Sequence, residues 1–179
     1  MSHVVVYAMG LDQPGIVAAV TGVLVEQGCN LEDTSMTILR GHFAMMLVVA
    51  TPEAADPAVL ARALGSAVSA FRLSIHVASL DESVAPSAEG DAWTVSVYGA
   101  DRPGIVHGVA ALLAARSVNI VDLTTRVVGP PSLPVYAMVL EVVVPPGEAG
   151  GAGLGAALDA LAAELGVECS LHPSDADIL

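Results

Sequence analysis

Hydrophobic residues follow two different spacings along this chain, and the two spacings alternate. HVVVYAMG at 3–10 and WTVSVYG at 93–99 are short runs rich in β-branched residues, which is typical of strands. After each run, apolar residues recur three, four or seven positions apart, as on one face of an α-helix. In the first half these are Ile16, Val17, Val20, Val23 and Leu24, and in the second Ile105, Val106, Val109, Leu112 and Leu113. The pattern therefore predicts a strand followed by a helix at two places.

The segments that follow continue in one order in both halves. Two strands at about 30–39 and 42–50, a helix at about 57–70 and a closing strand at 73–80 are matched by strands at about 119–128 and 134–144, a helix at about 154–165 and a strand at 167–172. The order is βαββαβ, twice. It predicts an α+β protein of two ferredoxin-like units, each a four-stranded antiparallel sheet with two helices on one face.

The two halves also share a sequence motif. DQPGIV at 12–17 returns as DRPGIV at 101–106, an offset of 101 − 12 = 89 residues. At that offset further identical residues coincide, namely Gly10 with Gly99, Val20 with Val109, Leu24 with Leu113, Asn30 with Asn119 and Asp33 with Asp122. Residues 81–91, DESVAPSAEGD, are acidic and without periodicity, which is typical of a linker. We therefore predict one domain over 1–80, a linker over 81–91 and a second domain over 92–179.

Charge and composition exclude several classes of function. The net charge is −13, and the six basic residues are all arginines with no two adjacent, so no basic surface is expected for DNA or RNA. No apolar run approaches the roughly 18 residues of a membrane span, and the N-terminus has no basic region typical of a signal peptide. Two cysteines are too few for a disulfide framework. We therefore expect a cytoplasmic protein without direct nucleic-acid or membrane partners.

The repeated motif lies where the first strand of each half turns into a helix. Asp12 and Asp101 are predicted to cap that helix, and Pro14 and Pro103 to occupy its first turn. Gly15 and Gly104 leave the backbone without a side chain, so that another molecule can approach closely. The N–H groups of Ile16, Val17, Ile105 and Val106 then form an anion-binding mouth suited to a carboxylate. The alternative is that the motif is only a helix start.

With these residues in view, the chain resembles tandem ACT-domain proteins, and among them the glycine cleavage system transcriptional repressor family. The resemblance rests on two βαββαβ units, each with D-x-P-G-I-V after its first strand and an asparagine at the start of its second. It covers nearly the whole chain. The same motif is found in the ACT parts of formyltetrahydrofolate deformylase and phosphoserine phosphatase, so it is specific for the superfamily rather than for one subfamily.

The resemblance implies a regulatory protein that binds a small amino acid between the strand-to-helix loop of one unit and the second strand of another. The implied loop residues are Asp12, Gln13, Gly15, Ile16, Asp101, Arg102, Gly104 and Ile105, and the implied strand residues are Asn30 and Asn119. Because Gln13 differs from Arg102, the two sites are not expected to be identical, and Arg102 favours the second for an acidic ligand. The expected partners are a regulated protein and a second copy of the chain. The edges formed by the second strands predict that either the two units of one chain or the two chains of a homodimer pair into a continuous sheet.

The sequence also bears on two other classes of function, an enzyme and a purely structural protein. An enzyme is not expected, since the five histidines form no metal-binding or nucleophile–base spacing; no cofactor and no metal are expected either. His107 is the one histidine that follows the repeated motif closely enough to contact a ligand. A purely structural role, in which the ACT-like units dimerise or scaffold a partner and bind nothing small, stays open from the sequence.

Overall fold

The structure is a computed structural model that describes residues 2–53, 55–80, 89–130, 134–146 and 152–174. It divides into two compact units, Met1–Ala85 and Pro86–Leu179. The linker predicted over 81–91 lies largely outside the described residues. The domain boundaries therefore stay a prediction.

The first unit has the predicted order of elements. It runs β1 (Ser2–Leu11), α1 (Ile16–Glu26), β2 (Asn30–Leu39), β3 (His42–Thr51), α2 (Pro57–Ala67), a short 3-10 helix (Ser69–Phe71) and β4 (Ser74–Ser79). The helix predicted over 57–70 thus ends at Ala67. Asp56 caps α2, because its carboxylate accepts a hydrogen bond of 2.8 Å from the N–H of Ala58, and Pro57 begins the helix.

The strands of the first unit form one antiparallel sheet in the order β2-β3-β1-β4. The β2–β3 connection is a two-residue hairpin turn at Arg40 and Gly41, both with positive φ (49° and 81°), as the type I′ turn requires. The predicted edge position of the second strand is confirmed. β2 is the first strand of the sheet order, and every one of its residues is exposed.

The core of the first unit lies between the sheet and its helices. Alternate residues of β1 and β3 are buried against one face of α1 and α2, with Val6, Val20, Leu47, Val49 and Leu64 almost inaccessible to solvent. This alternation matches the twofold period of a strand against the 3.6-residue period of a helix. Both helices therefore cover one face of the sheet and leave the other open.

The second unit repeats this plan with β5 (Asp91–Gly99), α3 (Ile105–Ala115), β6 (Asn119–Val128), β7 (Val135–Val144), α4 (Ala152–Leu165) and β8 (Val167–Pro173). Its sheet order is β6-β7-β5-β8, which places β6 at the edge as the counterpart of β2. Its separate core includes Val97, Leu113, Met138, Leu140 and Leu154. Two four-stranded ferredoxin-like units are thus confirmed.

Both edge strands contain an extra residue near their start. Between Leu31 and Asp33 the pairing with β3 shifts, so that Glu32 has no partner in the ladder. The same shift leaves Val121 without a partner between Ile120 and Asp122 of β6. Each is a β-bulge, at which the regular alternation of side chains between the two faces of the sheet is interrupted by one residue. The repetition therefore extends to an irregularity that hydrophobic spacing did not predict.

Candidate functional site

The repeated loop has the same backbone conformation in both units. Gly15 has φ 98° and ψ −10°, and Gly104 has φ 97° and ψ −10°. These values fit the third position of a type II turn, where a positive φ favours glycine and where proline commonly precedes it. The Pro-Gly pair of each motif therefore has a conformational reason. It makes the sharp turn that sends the chain from strand into helix.

The predicted capping of these helices by aspartate is wrong. The residues that cap α1 and α3 are Gly15 and Gly104, and neither helix has a side-chain capping bond. Each helix begins one residue after the glycine, so Asp12 lies four positions before the first helical residue, outside the reach of a cap. Pro14 correspondingly lies in the turn before the helix rather than in its first turn.

In the residues after each glycine, the side chain and the backbone have different roles. The side chains of Ile16 and Ile105 are 1% and 2% exposed and belong to the two cores, so they anchor the helix start. Their backbone N–H groups, with those of the next two residues, have no carbonyl one turn earlier within the helix to bind. The loop thus offers hydrogen-bond donors at the positive end of the helix dipole, an arrangement that favours an anion.

In the first unit the loop is held between two neighbouring turns. The N–H of Asp12 donates a hydrogen bond of 2.9 Å to the carbonyl of Gly41 in the β2–β3 hairpin. On the other side, a Cβ placed on Gly15 would lie 3.5 Å from the ring of Phe71. A depression of about 390 Å³ opens at this end of the sheet, and its walls include Met9, Leu39 and other residues of β1, β2 and β3.

The second unit places a guanidinium at the same end. A Cβ on Gly166 would lie 3.0 Å from Nη1 of Arg102, so Arg102 extends from the repeated loop across the turn between α4 and β8. A cavity of about 380 Å³ lies beside it, lined by Tyr98, Gly99, Val135, Gly166, Val167 and Glu168. The cation therefore borders open volume rather than the core.

Asp101 also acts electrostatically on its surroundings. Burial raises the pKa of Tyr136, a hydrogen bond with Thr125 lowers it, and the negative charge of Asp101 raises it further. Tyr136 is paired with Gly99, which directly precedes the loop region. The negative charge of Asp101 therefore acts at the loop end of the sheet, where a ligand's cationic group would be attracted.

The asparagines lie far from the loop of their own unit. Asn30 and Asn119 are the only asparagines in the chain, and each begins the edge strand of its unit, as predicted. Asn30 pairs with Ala50, whereas Leu39, at the other end of β2, pairs with His42 beside the loop. Nine residue steps of about 3.3 Å separate the two ends, roughly 30 Å. Both asparagines are exposed and lie on the open face of their sheets.

The structure thus brings together some of the predicted site residues. Asp12, Gln13, Gly15 and Ile16 form one loop, and Asp101, Arg102, Gly104 and Ile105 form another, while each asparagine stands at the opposite end of its sheet. Sequence reasoning missed the turn before the last strand, at Arg72 and Gly166. Its position next to the motif depends on β1–β4 and β5–β8 pairing, which local patterns do not reveal.

The described part of the chain offers no metal-binding cluster beside the repeated loops. No three His, Cys, Asp or Glu side chains there are close enough to hold a metal ion. His107 lies in the first turn of α3 with an exposed side chain, and its contact with a ligand stays a prediction. None of the described helices is both long enough and apolar enough to span a bilayer.

Known proteins share this architecture. Two family models, each described as ACT domain, match residues 2–78 and 93–163. The glycine cleavage system transcriptional repressor of Escherichia coli is 27% identical over 173 residues, which is 95% of this chain and 89% of that protein. A crystal structure of an unknown protein from Galdieria sulphuraria has a TM-score of 0.84 and 29% identity, covering 97% of this chain and 98% of that one.

One relative is an enzyme by name. The phosphoserine phosphatase SerB2 of Mycobacterium tuberculosis is 30% identical over 173 residues, which is 94% of this chain. The match spans only 40% of the phosphatase's length. The shared part therefore leaves most of that enzyme without a counterpart in this chain.

Proposed function

Since this chain belongs to the ACT domain family and carries two such domains, we propose that it is a regulatory protein that senses a small amino acid. It acts on metabolism or transcription through a protein partner, without catalysis of its own. The observation that carries the proposal is the repeated loop, whose glycine adopts the same unusual φ and ψ in both units. A mere helix start has no need of this conformation, since Asp56 and Pro57 begin α2 without it.

The loop offers groups of both signs that an amino acid requires. The free N–H groups of the first helical turn suit the ligand's carboxylate, and the carboxylates of Asp12 and Asp101 suit its ammonium group. Both aspartates are exposed, so they are accessible without rearrangement. A zwitterion that presents its charges a few ångströms apart matches this arrangement better than a simple anion does.

A complete site also needs the asparagine of a second unit. Because the loop and the asparagine of one unit are about 30 Å apart, they cannot hold the same small ligand. Antiparallel pairing of two β2 strands would set the start of one beside the end of the other and so bring Asn30 of one copy near the loop of its partner. We therefore propose a homodimer joined at these edges, with the ligand at the join.

Titration of the purified protein against the standard amino acids tests the proposal. A ligand that binds only the folded state raises the melting temperature, by an amount that grows with its concentration. We expect one amino acid, or a small group of similar ones, to do so, and calorimetry to give the affinity. If none binds, the chain is instead a dimerisation or scaffold module.

Asparagine substitutions then test the position of the site. We expect Asn30→Ala or Asn119→Ala to weaken binding about ten- to hundredfold, the effect of losing a hydrogen bond to a charged group. The melting temperature of the ligand-free protein should stay unchanged, because both side chains are exposed. Gln27→Ala, which removes another exposed amide, is the matched control. Parental affinity in both asparagine variants would contradict the assignment.

A further inference from the structure

In each unit, one arginine lies either in the repeated loop or in the turn before the last strand, and the two units differ in which position carries it. Superposing the units by strand register makes Gly10 equivalent to Gly99, because Met9 pairs with Ser74 as Tyr98 pairs with Glu168. Two residues before each of these partners stand Arg72 in the first unit and Gly166 in the second. At the loop the order is reversed, with Gln13 in the first unit and Arg102 in the second.

The exchange leaves one guanidinium group near this turn in each unit. In the second unit a Cβ on Gly166 would lie 3.0 Å from Nη1 of Arg102, so the loop arginine reaches the turn. In the first unit the turn residue is itself an arginine, Arg72, and the equivalent loop residue is the uncharged Gln13. Each unit therefore has one arginine at this pair of positions, contributed by the turn in the first unit and by the loop in the second.

The backbone of the first unit is unfavourable for its arginine. Arg72 has φ 54° and ψ 42°, the left-handed region that glycine adopts without penalty, and Gly166 has φ 68°. In this conformation an arginine has a higher backbone conformational energy than the glycine at the equivalent position of the second unit. Within the described residues, the side chains of Arg72 and Arg102 form no ion pair or hydrogen bond, and both residues are exposed. No interaction within the described residues therefore accounts for an arginine at either position.

We infer that Arg72 and Arg102 are equivalent specificity residues, each the cation that binds the ligand's carboxylate in its own unit. The inference rests on the proposed function and extends it. It replaces the expectation that only the Arg102 site favours a carboxylate, and it assigns two such sites to every chain. In a protein with a net charge of −13, these guanidinium groups offset at each loop the repulsion that a carboxylate would otherwise meet.

Neutral variants separate the two units. By calorimetry with the standard amino acids and their primary amides, we expect the parent to bind two molecules per chain and to prefer the amino acid to its amide. Arg72→Gln and Arg102→Gln should each weaken one of the two sites about ten- to hundredfold. In the double variant the preference over the amide should fall at least tenfold. Arg62→Gln, an exposed arginine on α2, is the matched control.

A reciprocal exchange guards against simple loss of folding. Gln13→Arg combined with Arg72→Gly gives the first unit the arrangement of the second, and it should restore the binding that Arg72→Gln loses. If the parent binds but only Arg102→Gln weakens it, or the parent takes up one molecule per chain, the equivalence is wrong while the proposed function stands. If the parent binds no amino acid, both fall.

Discussion

A glycine-to-alanine substitution in the repeated loop measures how much the backbone conformation there contributes to stability. Gly104 has a positive φ of 97°, and a Cβ added there would meet nothing within 4 Å. Gly104→Ala should therefore lower the free energy of unfolding by about 1–2 kcal/mol through conformation alone. Chemical denaturation measures the change. Because no steric clash accompanies it, a larger loss would mean that the loop has another constraint.

Gly22 provides the opposite case within the same chain. It lies exposed in the interior of α1, also with nothing within 4 Å of an added Cβ, but in helical conformation. We expect Gly22→Ala to raise the free energy of unfolding by up to about 1 kcal/mol, since alanine is the better helix former. Equal responses of the two variants would contradict the conformational explanation of the loop.

Cys169 is predicted to be chemically inert at neutral pH. Burial raises the pKa of its thiol to about 11, and the charge of Asp159 adds to this, while a backbone hydrogen bond at Ser170 opposes it. At pH 8 only about one molecule in a thousand then carries the reactive thiolate. In a Cys29→Ser background, iodoacetamide labelling should be slow and should quicken about tenfold per pH unit up to pH 11. Rapid labelling at pH 8 would show that β8 opens.

The same thiol links stability to pH. Its folded pKa lies above the ordinary value of 9.0, so the folded state holds the proton more tightly than the unfolded state does. Its stabilising contribution is complete below about pH 9 and is lost as the pH rises through 11. The difference in unfolding free energy between the parent and Cys169→Ala should shrink across this interval. Tyr136 is present in both proteins, so its titration cancels in the difference.

For single residues, prediction from sequence was correct where the neighbouring residues alone determine the structure. Asn30 and Asn119 begin their strands as expected, whereas the positive φ of Gly15 and Gly104 was not predicted, although a Pro-Gly turn favours it. Asp12 failed as a cap because residue type identifies a capping side chain but not its distance from the first helical residue. Arg72 was missed because its place depends on the pairing of β1 with β4, across more than sixty residues of sequence.

The edge strands are the elements most exposed to association. On β2, Met36 and Ile38 are 47% and 48% exposed although their neighbours on β3 are buried, because no helix covers the edge. Met36→Lys with Ile38→Lys should halve the mass measured by light scattering, since lysine on an edge opposes strand pairing. Val25→Lys, at a site 76% exposed on α1, should leave the dimer intact.

Two outcomes would remove the edge as the dimer contact. The parent could be monomeric in light scattering, or the doubly substituted protein could keep the parental mass. In the second case the contact lies elsewhere on the unit. Circular dichroism of the lysine variant distinguishes both outcomes from a failure to fold.

Elements were the scale at which sequence predicted best. Twofold and 3.6-residue spacings located every strand and helix, because each element buries one face in a core of Val, Leu and Ile. Their ends differ from the predicted ones by at most three residues, as at α2, where a 3-10 helix follows Ala67. The bulges at Glu32 and Val121 escaped because a single extra residue barely alters a hydrophobic pattern.

At the scale of the whole molecule, charge governs which partners are available. With a net charge of −13 and six separated arginines, the protein as a whole should be repelled by phosphate. A gel-shift assay at low salt should show no complex with DNA. This holds even if the chain controls transcription, because control then passes through a protein partner. A tight complex that weakens steeply with salt would overturn the prediction.

The bulges let each edge strand lose one residue without changing a pair of its ladder. A chain without Glu32 would still set Leu31 opposite Val49 and Asp33 opposite Val48, and a chain without Val121 would still set Ile120 opposite Val142 and Asp122 opposite Glu141. Because directly opposite residues of a ladder share a face, each asparagine would stay on the open face of its sheet. A relative that lacks the extra residue therefore keeps the amide on the same side, with its asparagine two positions before the aspartate instead of three.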